Sequence, residues 1–265
     1  MDLRLDGKRA IVTGGSRGIG KAVARNLVQE GARVALLARS QRALDLAAAE
    51  LSDLGGVVVT AAADTTDSES VVHVVRQVAA HWGGVDILVN GAASPAGAKA
   101  ASTLSTFDER AFLSDMNTKV LGYIRMIQAV APHMIESGWG RIINISGRNA
   151  LVTGSMTGSV RNVAVAALTK NLADELGAHG ITVTTVHPGF TRTEATEGVL
   201  QARATSLGLG TGDIESQFAD KNSSRRLITS DEVAYLITFL ASPLSSAVSG
   251  GSIEAGGGIR GFINY

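Results

Sequence analysis

Short apolar runs alternate with longer segments of helical periodicity along almost the whole chain. The apolar runs predict strands at 9–13, 33–37, 57–63, 85–90, 140–146, 181–186 and 252–255. The periodic segments predict helices at 17–30, 41–54, 68–82, 107–137 (broken by Pro132), 160–178 and, behind a capping box at Thr229 and Glu232, to about 241. Strands this apolar are buried on both faces, and their alternation with helices is typical of a covered parallel sheet. The pattern therefore predicts one doubly wound α/β domain over 1–265, with about seven parallel strands and helices on both faces.

The stretch 190–228 has no clear periodicity and is long for a connection inside a compact domain. Loops of this length are often lids or substrate-binding loops, although simple surface decoration is the alternative. Its apolar side chains either line a partly apolar pocket or pack the loop onto the body of the protein; they are Phe190, Leu200, Leu207, Leu209 and Phe218.

Composition narrows the range of partners. The formal net charge is zero and no basic run occurs, so binding to nucleic acid or to an anionic membrane is not expected. The absence of Cys excludes disulfides, thiolate catalysis and Cys-ligated zinc, and no pair of the five His has the spacing of a helical metal site. No apolar signal core or membrane-spanning run is present, so we expect a cytoplasmic protein without a metal.

A glycine-rich turn joins the first predicted strand to the first predicted helix, in the segment Thr13–Gly20. Its glycines permit a tight turn, and backbone N–H groups at the start of the helix favour an anion such as a pyrophosphate. The strand–turn–helix context supports a dinucleotide site rather than a merely structural turn. The expected contacts are Gly14, Ser16, Arg17, Gly18, Ile19 and Gly20.

This turn, TGGSRGIG, resembles the cofactor loop of the short-chain dehydrogenase/reductase family, and the likeness extends over about residues 6–258. The resemblance implies a Rossmann-like domain and hydride transfer between a nicotinamide and a carbonyl or alcohol. It also implies a homodimer or homotetramer that pairs through the helices at 107–137 and 160–178. The further cofactor contacts that it implies are Asp64, Thr65, Asn90, Gly91, Ala92, Pro188, Gly189, Thr191 and Thr193.

The end of the second strand bears on the choice of cofactor. Members of the family that prefer NAD usually carry an acidic residue there, whereas this chain has Ala38 followed by Arg39. Together with Arg17, Arg39 offers two guanidinium groups for a 2′-phosphate. We therefore expect NADP(H), with NAD(H) less favoured.

The catalytic pair of the family is missing from its expected position. In the resemblance a Tyr donates the proton and a Lys four residues later lowers its pKa, with a Ser on the preceding strand end. The flanking sequence aligns Gly158 with the Tyr, Asn162 with the Lys and Gly147 with the Ser, with Ser146 beside it. Of the usual four residues only Asn117, at the helix-kinking position, remains.

Shifting the alignment does not restore the pair. No Lys occurs between Lys119 and Lys170, and none of Tyr123, Tyr235 and Tyr265 is near position 158 in sequence. The sequence therefore predicts that the bound nicotinamide faces a helix turn with neither a phenol nor an ammonium. The one exception that the sequence leaves open is Tyr265 reaching the site of a neighbouring subunit.

Several residues are candidates to replace the missing chemistry. Arg161 either replaces the positive charge of the missing Lys or is a charge at the helix surface or an interface. His187, with an unperturbed pKa of about 6.5, either transfers a proton or is a packing residue at a strand end. Ser146 and Asn162 can orient a substrate or an ordered water. With Asn117, these residues form the predicted catalytic set.

Three functions remain open. The first is an NADP(H)-dependent oxidoreductase, similar to short-chain carbonyl or 3-oxoacyl reductases, with non-standard proton delivery to a small, partly apolar substrate. The second is a catalytically degenerate NADP(H)-binding regulatory or partner protein, which the loss of both residues favours. The third, non-redox chemistry in the same pocket, has no positive support in the sequence.

Overall fold

The computed structural model describes residues 1–93 and 103–263. Its strands are β1 (Arg9–Thr13), β2 (Arg33–Ala38), β3 (Val58–Ala62), β4 (Ile87–Asn90), β5 (Gly140–Ile145), β6 (Ile181–Pro188), β7 (Thr191–Arg192), β8 (Ile228–Thr229) and β9 (Ser252–Ala255). Its α-helices are α1 (Gly18–Gln29), α2 (Gln41–Ser52), α3 (Ser68–Trp82), α4 (Glu109–Met116), α5 (Gly122–Ser137), α6 (Met156–Leu176), α7 (Thr196–Leu207), α8 (Thr211–Ala219) and α9 (Ser230–Ala241).

Seven strands form one parallel sheet in the order β3-β2-β1-β4-β5-β6-β9. Each of the pairings between neighbours in this sheet is parallel, as the apolar strands predict. The order of the strands reverses between β1 and β4, where Thr13 and Asn90 are register partners at the carboxyl ends of the two strands. Ligands of doubly wound sheets bind in the crevice at such a reversal, so the fold puts the glycine-rich turn at the expected edge.

Two hydrophobic layers cover the faces of this sheet. On one face, Val12 and its neighbours pack with α1, α2 and α9. On the other, Ile11 and Leu88 pack with α3, α5 and the end of α6. Adjacent residues of β1 thus contribute to opposite layers, which explains why the strand is apolar throughout. The single Rossmann-like α/β domain predicted from the sequence is confirmed.

The helix predicted at 107–137 is interrupted, but not at Pro132. The break is a π-helical turn at Asn117–Leu121 between α4 and α5, whereas Pro132 lies within α5. Pro132 and Gln128, whose carbonyl lacks an amide partner, are both exposed, so water can satisfy that carbonyl. The predicted position of the break was therefore wrong.

The segment 190–228 is not irregular. It contains α7 and α8, which pack through a small apolar cluster, and its two ends pair as β7 and β8. Phe190 and Phe218 stack with ring centroids 4.1 Å apart and contribute to this cluster, so part of the apolar character of the segment is used in its own packing. Within the described residues, no helix has the length and apolar character needed to cross a membrane.

Candidate active site

The turn after β1 is fixed to the turn after β4. The Thr13 hydroxyl oxygen accepts hydrogen bonds from the backbone N–H groups of Gly91 (3.0 Å) and Ala92 (3.2 Å). A Cβ atom built on Gly14 would lie 2.8 Å from the Gly91 carbonyl oxygen, and Gly14 has a φ of 69°. Both the space and the backbone conformation therefore require glycine at this position.

The glycine-rich turn also has to accommodate the start of α1. A Cβ atom built on Gly20 would lie 2.3 Å from the Gly14 carbonyl oxygen, and Gly18 has a φ of 57°. Glycine at position 20 thus permits the close packing of helix and turn that leaves the first N–H groups of α1 available for an anion.

A carboxylate already occupies this helix start. Glu194 accepts a hydrogen bond from the Gly18 N–H group (2.9 Å) and lies 3.2 Å from the Lys21 ammonium. Burial opposes ionisation of Glu194, but hydrogen bonds from backbone N–H groups and from Lys21 outweigh it and lower its pKa. The start of α1 therefore binds a negatively charged oxygen in this structure, as a cofactor pyrophosphate would require.

The predicted adenosine side of the cofactor site lies beyond β2 and β3. Arg17 and Arg39 are both exposed at the edge of the sheet. Asp64 accepts hydrogen bonds from the backbone and hydroxyl of Thr66 at 2.9 and 2.8 Å. The backbone bond of Thr66 is the largest cause that lowers the pKa of Asp64, and the charge of Arg39 also contributes. Arg39 therefore has a carboxylate nearby, although position 38 has none.

The remaining predicted cofactor contacts lie along the same edge. Thr65 is buried against the first turn of α5, where a Cβ atom on Gly122 would lie 3.0 Å from its hydroxyl oxygen. The Asn90 amide nitrogen donates to Asn144 on β5 (3.0 Å). Ser16 and Ile19 are partly buried in the glycine-rich turn and the start of α1.

The segment after β6 is held by short polar contacts. Pro188 ends β6, and a Cβ atom on Gly189 would lie 3.1 Å from the Gly256 Cα atom. The Thr191 hydroxyl donates to the Gly189 carbonyl (3.2 Å), and a Cβ atom on Gly18 would lie 3.5 Å from the methyl carbon of Thr193. This segment therefore closes over the glycine-rich turn from the β6 side.

The position aligned with the catalytic Tyr is filled by other polar side chains. Gly158 lies in the first turn of α6, and a Cβ atom there would lie 2.8 Å from the Asn149 amide nitrogen and 2.9 Å from the Ser155 hydroxyl oxygen. The Tyr123 hydroxyl donates instead to the Ile145 carbonyl (2.8 Å) in the core. Tyr265, considered as a contribution from a neighbouring subunit, lies outside the described residues.

A buried ammonium contacts Asn162, the residue aligned with the family's Lys. Lys119 is 3% exposed, and its Nζ atom donates to the Ser146 carbonyl at 2.7 Å and to Asn162 Oδ1 at 3.0 Å. Burial lowers the pKa of Lys119 well below its ordinary value, the charge of Arg161 lowers it further, and Asp115 offsets part of the shift. A lysine of the π-helical turn thus reaches the side chain aligned with the family's Lys, whereas the absence of a phenol and an ammonium beside a bound nicotinamide stays a prediction.

Lys119 is far in sequence from the position aligned with the family's Lys, but its helical spacing indicates that it is buried. Lys119 precedes the fully buried Tyr123 by four residues, and Met126, Val130 and Met134 continue the same helical stripe. A lysine in line with buried apolar residues is a charge directed into the protein interior. Its partner Asn162 could not be identified without knowing how the π-helical turn at Asn117–Leu121 packs against α6.

Ser146 and Asn117 are both engaged in local hydrogen bonds. The Ser146 hydroxyl donates to the Asn162 backbone carbonyl (3.0 Å), which ties the end of β5 to α6. The Asn117 side-chain oxygen accepts from Arg125 Nη2 (2.9 Å), eight residues or about two turns further along the same helical segment. Asn117 lies at the start of the π-helical turn, which agrees with the helix-kinking role implied for this position.

His187 is 1% exposed near the end of β6. Burial and then the charge of Lys119 lower its pKa to about 4, and a backbone hydrogen bond at Gly147 offsets only part of this shift. The imidazole is therefore neutral at pH 7. A pKa of about 4 instead of about 6.5 leaves little of the protonated imidazole that the predicted proton transfer by His187 requires at neutral pH.

The Arg161 side chain contacts α4 rather than the space beside Gly158. Its Nη1 atom lies 2.5 Å from a carboxylate oxygen of Asp115, and both side chains are 15% exposed. The contact matches the alternative interpretation of Arg161 as a helix-interface charge.

Comparison with known proteins gives one consistent family. The sequence profile of the family described as short chain dehydrogenase matches residues 8–204. Over 267 aligned residues the chain is 32% identical to the 3-oxoacyl-(acyl-carrier-protein) reductase of Vibrio cholerae serotype O1, and the alignment covers 97% of this chain and 99% of that protein.

Solved structures agree over almost the full length. L-sorbose reductase from Gluconobacter frateurii, solved with NADPH and L-sorbose, superimposes with a TM-score of 0.92 at 27% identity and covers 99% of this chain and 100% of its own. NAD⁺-bound xylitol dehydrogenase superimposes with a TM-score of 0.88 at 25% identity and covers 96% of this chain and 100% of its own.

Proposed function

The chain belongs to the short-chain dehydrogenase/reductase family, and from this premise we propose that it is an NADP(H)-dependent oxidoreductase. The reaction is hydride transfer between the nicotinamide and the carbonyl or alcohol carbon of a small molecule, as in carbonyl and 3-oxoacyl reductases. The observation that carries this proposal is the anion-binding start of α1, where Glu194 stands in for a phosphate beside a turn that only glycine can form.

The preference for NADP(H) is supported by charge at the edge of the sheet. Arg17 and Arg39 are exposed there, and β2 ends in Ala38 rather than in an acidic residue. A 2′-phosphate gains charge-assisted hydrogen bonds from guanidinium groups, whereas the ribose hydroxyls of NAD(H) gain less. The NADPH of L-sorbose reductase agrees with this choice, while the NAD⁺ of xylitol dehydrogenase makes NAD(H) the alternative to be tested.

We propose that this member is atypical, because no phenol stands at Gly158 and no ammonium is carried at Asn162 itself. With the cofactor bound, the nicotinamide supplies or accepts the hydride. The side chains that remain for the reacting oxygen are those of Asn162, Ser146 and His187, with Lys119 behind them. Because His187 is neutral at pH 7, water is the proposed source of the proton.

A second candidate is an NADP(H)-binding regulatory or partner protein without turnover. The filled position at Gly158 favours it, since Asn149 and Ser155 leave less space where the family's Tyr would stand. Both candidates require the same cofactor site, so only turnover separates them.

The experiment has two steps. First, fluorescence titration measures the affinity of NADPH and NADH for the full chain and for Gly20→Ala, with Gly198→Ala as the control. A Cβ atom on Gly20 would lie 2.3 Å from a carbonyl oxygen, whereas nothing lies within 4 Å of one on Gly198. We expect Gly20→Ala to weaken NADPH binding by at least about tenfold, roughly 1.4 kcal/mol, and Gly198→Ala to leave it unchanged.

Second, NADPH oxidation is followed with ketones, quinones, 3-oxoacyl thioesters and ketoses. Turnover of any one supports the oxidoreductase. Tight NADPH binding with no turnover on the whole panel supports the binding protein instead. Equal affinity for NADPH and NADH contradicts the cofactor preference.

Association with a second copy is also proposed. Apolar side chains remain exposed on the helices that pair in similar proteins, among them Leu113 on α4, Ile135 on α5, and Val160 and Val163 on α6. Burial of this face in a homodimer or homotetramer would remove it from water. Cytoplasmic location and a partly apolar substrate stay predictions.

A further inference from the structure

The buried ammonium of Lys119 has no carboxylate partner among the described residues. Its hydrogen bonds go to a backbone carbonyl and to the neutral amide of Asn162. Asp115, whose negative charge acts on Lys119, is paired with Arg161 at 2.5 Å. Keeping a charge in such surroundings destabilises the fold, so the position is unusual for a residue with only a packing role.

The same hydrogen bond fixes the orientation of the Asn162 amide. An ammonium has only donors, so the Asn162 atom 3.0 Å from Lys119 Nζ must be the oxygen. The amide nitrogen then points to the opposite side, and a Cβ atom on Gly147 would lie 3.0 Å from it. Gly147 therefore leaves open the space in front of this nitrogen.

The Asn162 nitrogen is an available donor. Among the described residues, the buried side-chain atoms without a partner are Asn26 Nδ2, Asn90 Oδ1, Asp115 Oδ1, Arg161 Nε and His187 Nδ1. Asn162 Nδ2 is not one of them, although it donates no hydrogen bond to a described residue. Asn162 is 3% exposed, and the oxygen of the same amide is polarised by the ammonium behind it, so the nitrogen is the donor of this side chain that the described residues leave unused.

We propose that Lys119 and Asn162 form one charge-polarised hydrogen-bond donor, which holds the reacting oxygen of a carbonyl substrate in front of Gly147. The inference rests on the proposed oxidoreductase function. When hydride adds to the carbonyl carbon, the π-electron pair of the C=O bond moves to the oxygen. The N–H group of Asn162 stabilises that developing negative charge. A water molecule then protonates the alkoxide and leaves hydroxide, which the solvent buffer neutralises.

In this arrangement Lys119 is a positioning residue. It orients and polarises Asn162 and does not itself transfer a proton. The charged groups that face it are Arg161 and Asp115, with His187 on β6. Because burial lowers the pKa of Lys119, its charge is lost at a lower pH than that of an exposed lysine. Turnover should decline as the pH rises through that pKa.

The test compares three variants of the full chain with wild type, using whichever carbonyl compound turns over. Lys119→Met removes the charge and keeps an apolar stem. Asn162→Asp keeps the contact with Lys119 but replaces the donor with a negatively charged oxygen. The double variant Lys119→Met with Asn162→Lys returns the ammonium to α6. Lys170→Met, at an exposed lysine of the same helix, is the control.

Each single variant should lower kcat/KM by at least about 100-fold, the usual cost of losing one donor to a developing oxyanion. NADPH affinity, measured by fluorescence, should stay within about threefold of wild type. Lys119→Met should also lose the alkaline decline of kcat/KM. The double variant should recover at least about tenfold of the loss, and Lys170→Met should behave as wild type.

Wild-type kcat/KM with an unchanged pH profile in Lys119→Met overturns the inference while leaving the oxidoreductase function in place. A loss confined to NADPH affinity overturns it as well, because the donor would then serve the cofactor. If Lys119→Met does not fold, Asn162→Asp decides, since its carboxylate gives the ammonium a partner. No turnover by wild type overturns both proposals.

Discussion

His187 couples the pH to the stability of the folded state. Its pKa is about 4 in the folded protein, whereas an unfolded histidine titrates near 6.5. The unfolded chain therefore binds more protons between these values, so His187 contributes stability that is complete above pH 6.5 and is lost as the pH falls toward 4. Lowering the pH from 7.5 to 5 should cost about 2 kcal/mol through this residue alone.

Urea denaturation at both pH values measures this loss. His187→Gln should remove most of the difference, because glutamine does not titrate. His73→Gln, at an exposed histidine of α3, is the matched control and should keep the wild-type dependence. An equal pH dependence in wild type and His187→Gln would show that the imidazole is already charged in the folded state.

At the residue scale, the sequence predicted motifs made by neighbouring residues but not contacts between residues far apart in the chain. The turn at Gly14–Gly20 and the capping box at Thr229 and Glu232 depend on residues close in sequence, and both are present. The contact of Lys119 with Asn162 joins residues 43 positions apart. No periodicity of either helical segment encodes it, since the distance depends on how the π-helical turn at Asn117–Leu121 packs against α6.

The segment between β6 and α7 competes with the cofactor for the start of α1. Glu194 accepts from the Gly18 N–H group and pairs with Lys21. A bound pyrophosphate has to displace this carboxylate, and the displacement loses the interactions of Glu194 with the Gly18 N–H group and with Lys21. Glu194→Gln should therefore tighten NADPH binding about fivefold, equivalent to about 1 kcal/mol.

Fluorescence titration of NADPH at low salt checks this expectation. Glu197→Gln, at an exposed carboxylate in the first turn of α7, is the control for the change in net charge. Screening by salt should reduce the difference between Glu194→Gln and wild type. Weaker binding in Glu194→Gln would instead make the carboxylate part of the bound state.

At the element scale, apolar periodicity predicted the seven strands of the main sheet to within two residues at either end. It failed for α7 and α8, because α7 exposes most of its residues and α8 buries only Ile214, so neither shows a broad apolar stripe. It also placed the break of the long helix at Pro132, whereas the π-helical turn at Asn117–Leu121 has no comparably strong sequence signal.

At the scale of the whole molecule, an apolar face formed by α4, α5 and α6 is exposed to solvent. Val160 is 46% exposed on α6, in a stripe with Met156 and Val163. A charge placed there would be buried without a partner if copies associate through this face. Val160→Glu should weaken self-association by about 30-fold or more, equivalent to at least about 2 kcal/mol.

Light scattering after gel filtration, over a range of protein concentrations, measures the association. Val72→Glu on α3 is a matched control, because Val72 is also 46% exposed but lies on another helix. It should leave the mass unchanged. A wild-type mass equal to one chain at all concentrations would contradict the proposed pairing.

The short pairing of β7 with β8 gives the α7–α8 excursion a closed base. Its two ends run side by side, with Thr191 opposite Ile228 and Arg192 opposite Thr229, at a spacing of about 5 Å. Because loop-closure entropy grows only slowly with length, residues between such anchored ends can be added, removed or exchanged with little effect on the sheet below. Changes in the length or sequence of α7 and α8 should therefore leave the parallel sheet folded, because the closed base between β7 and β8 isolates them from it.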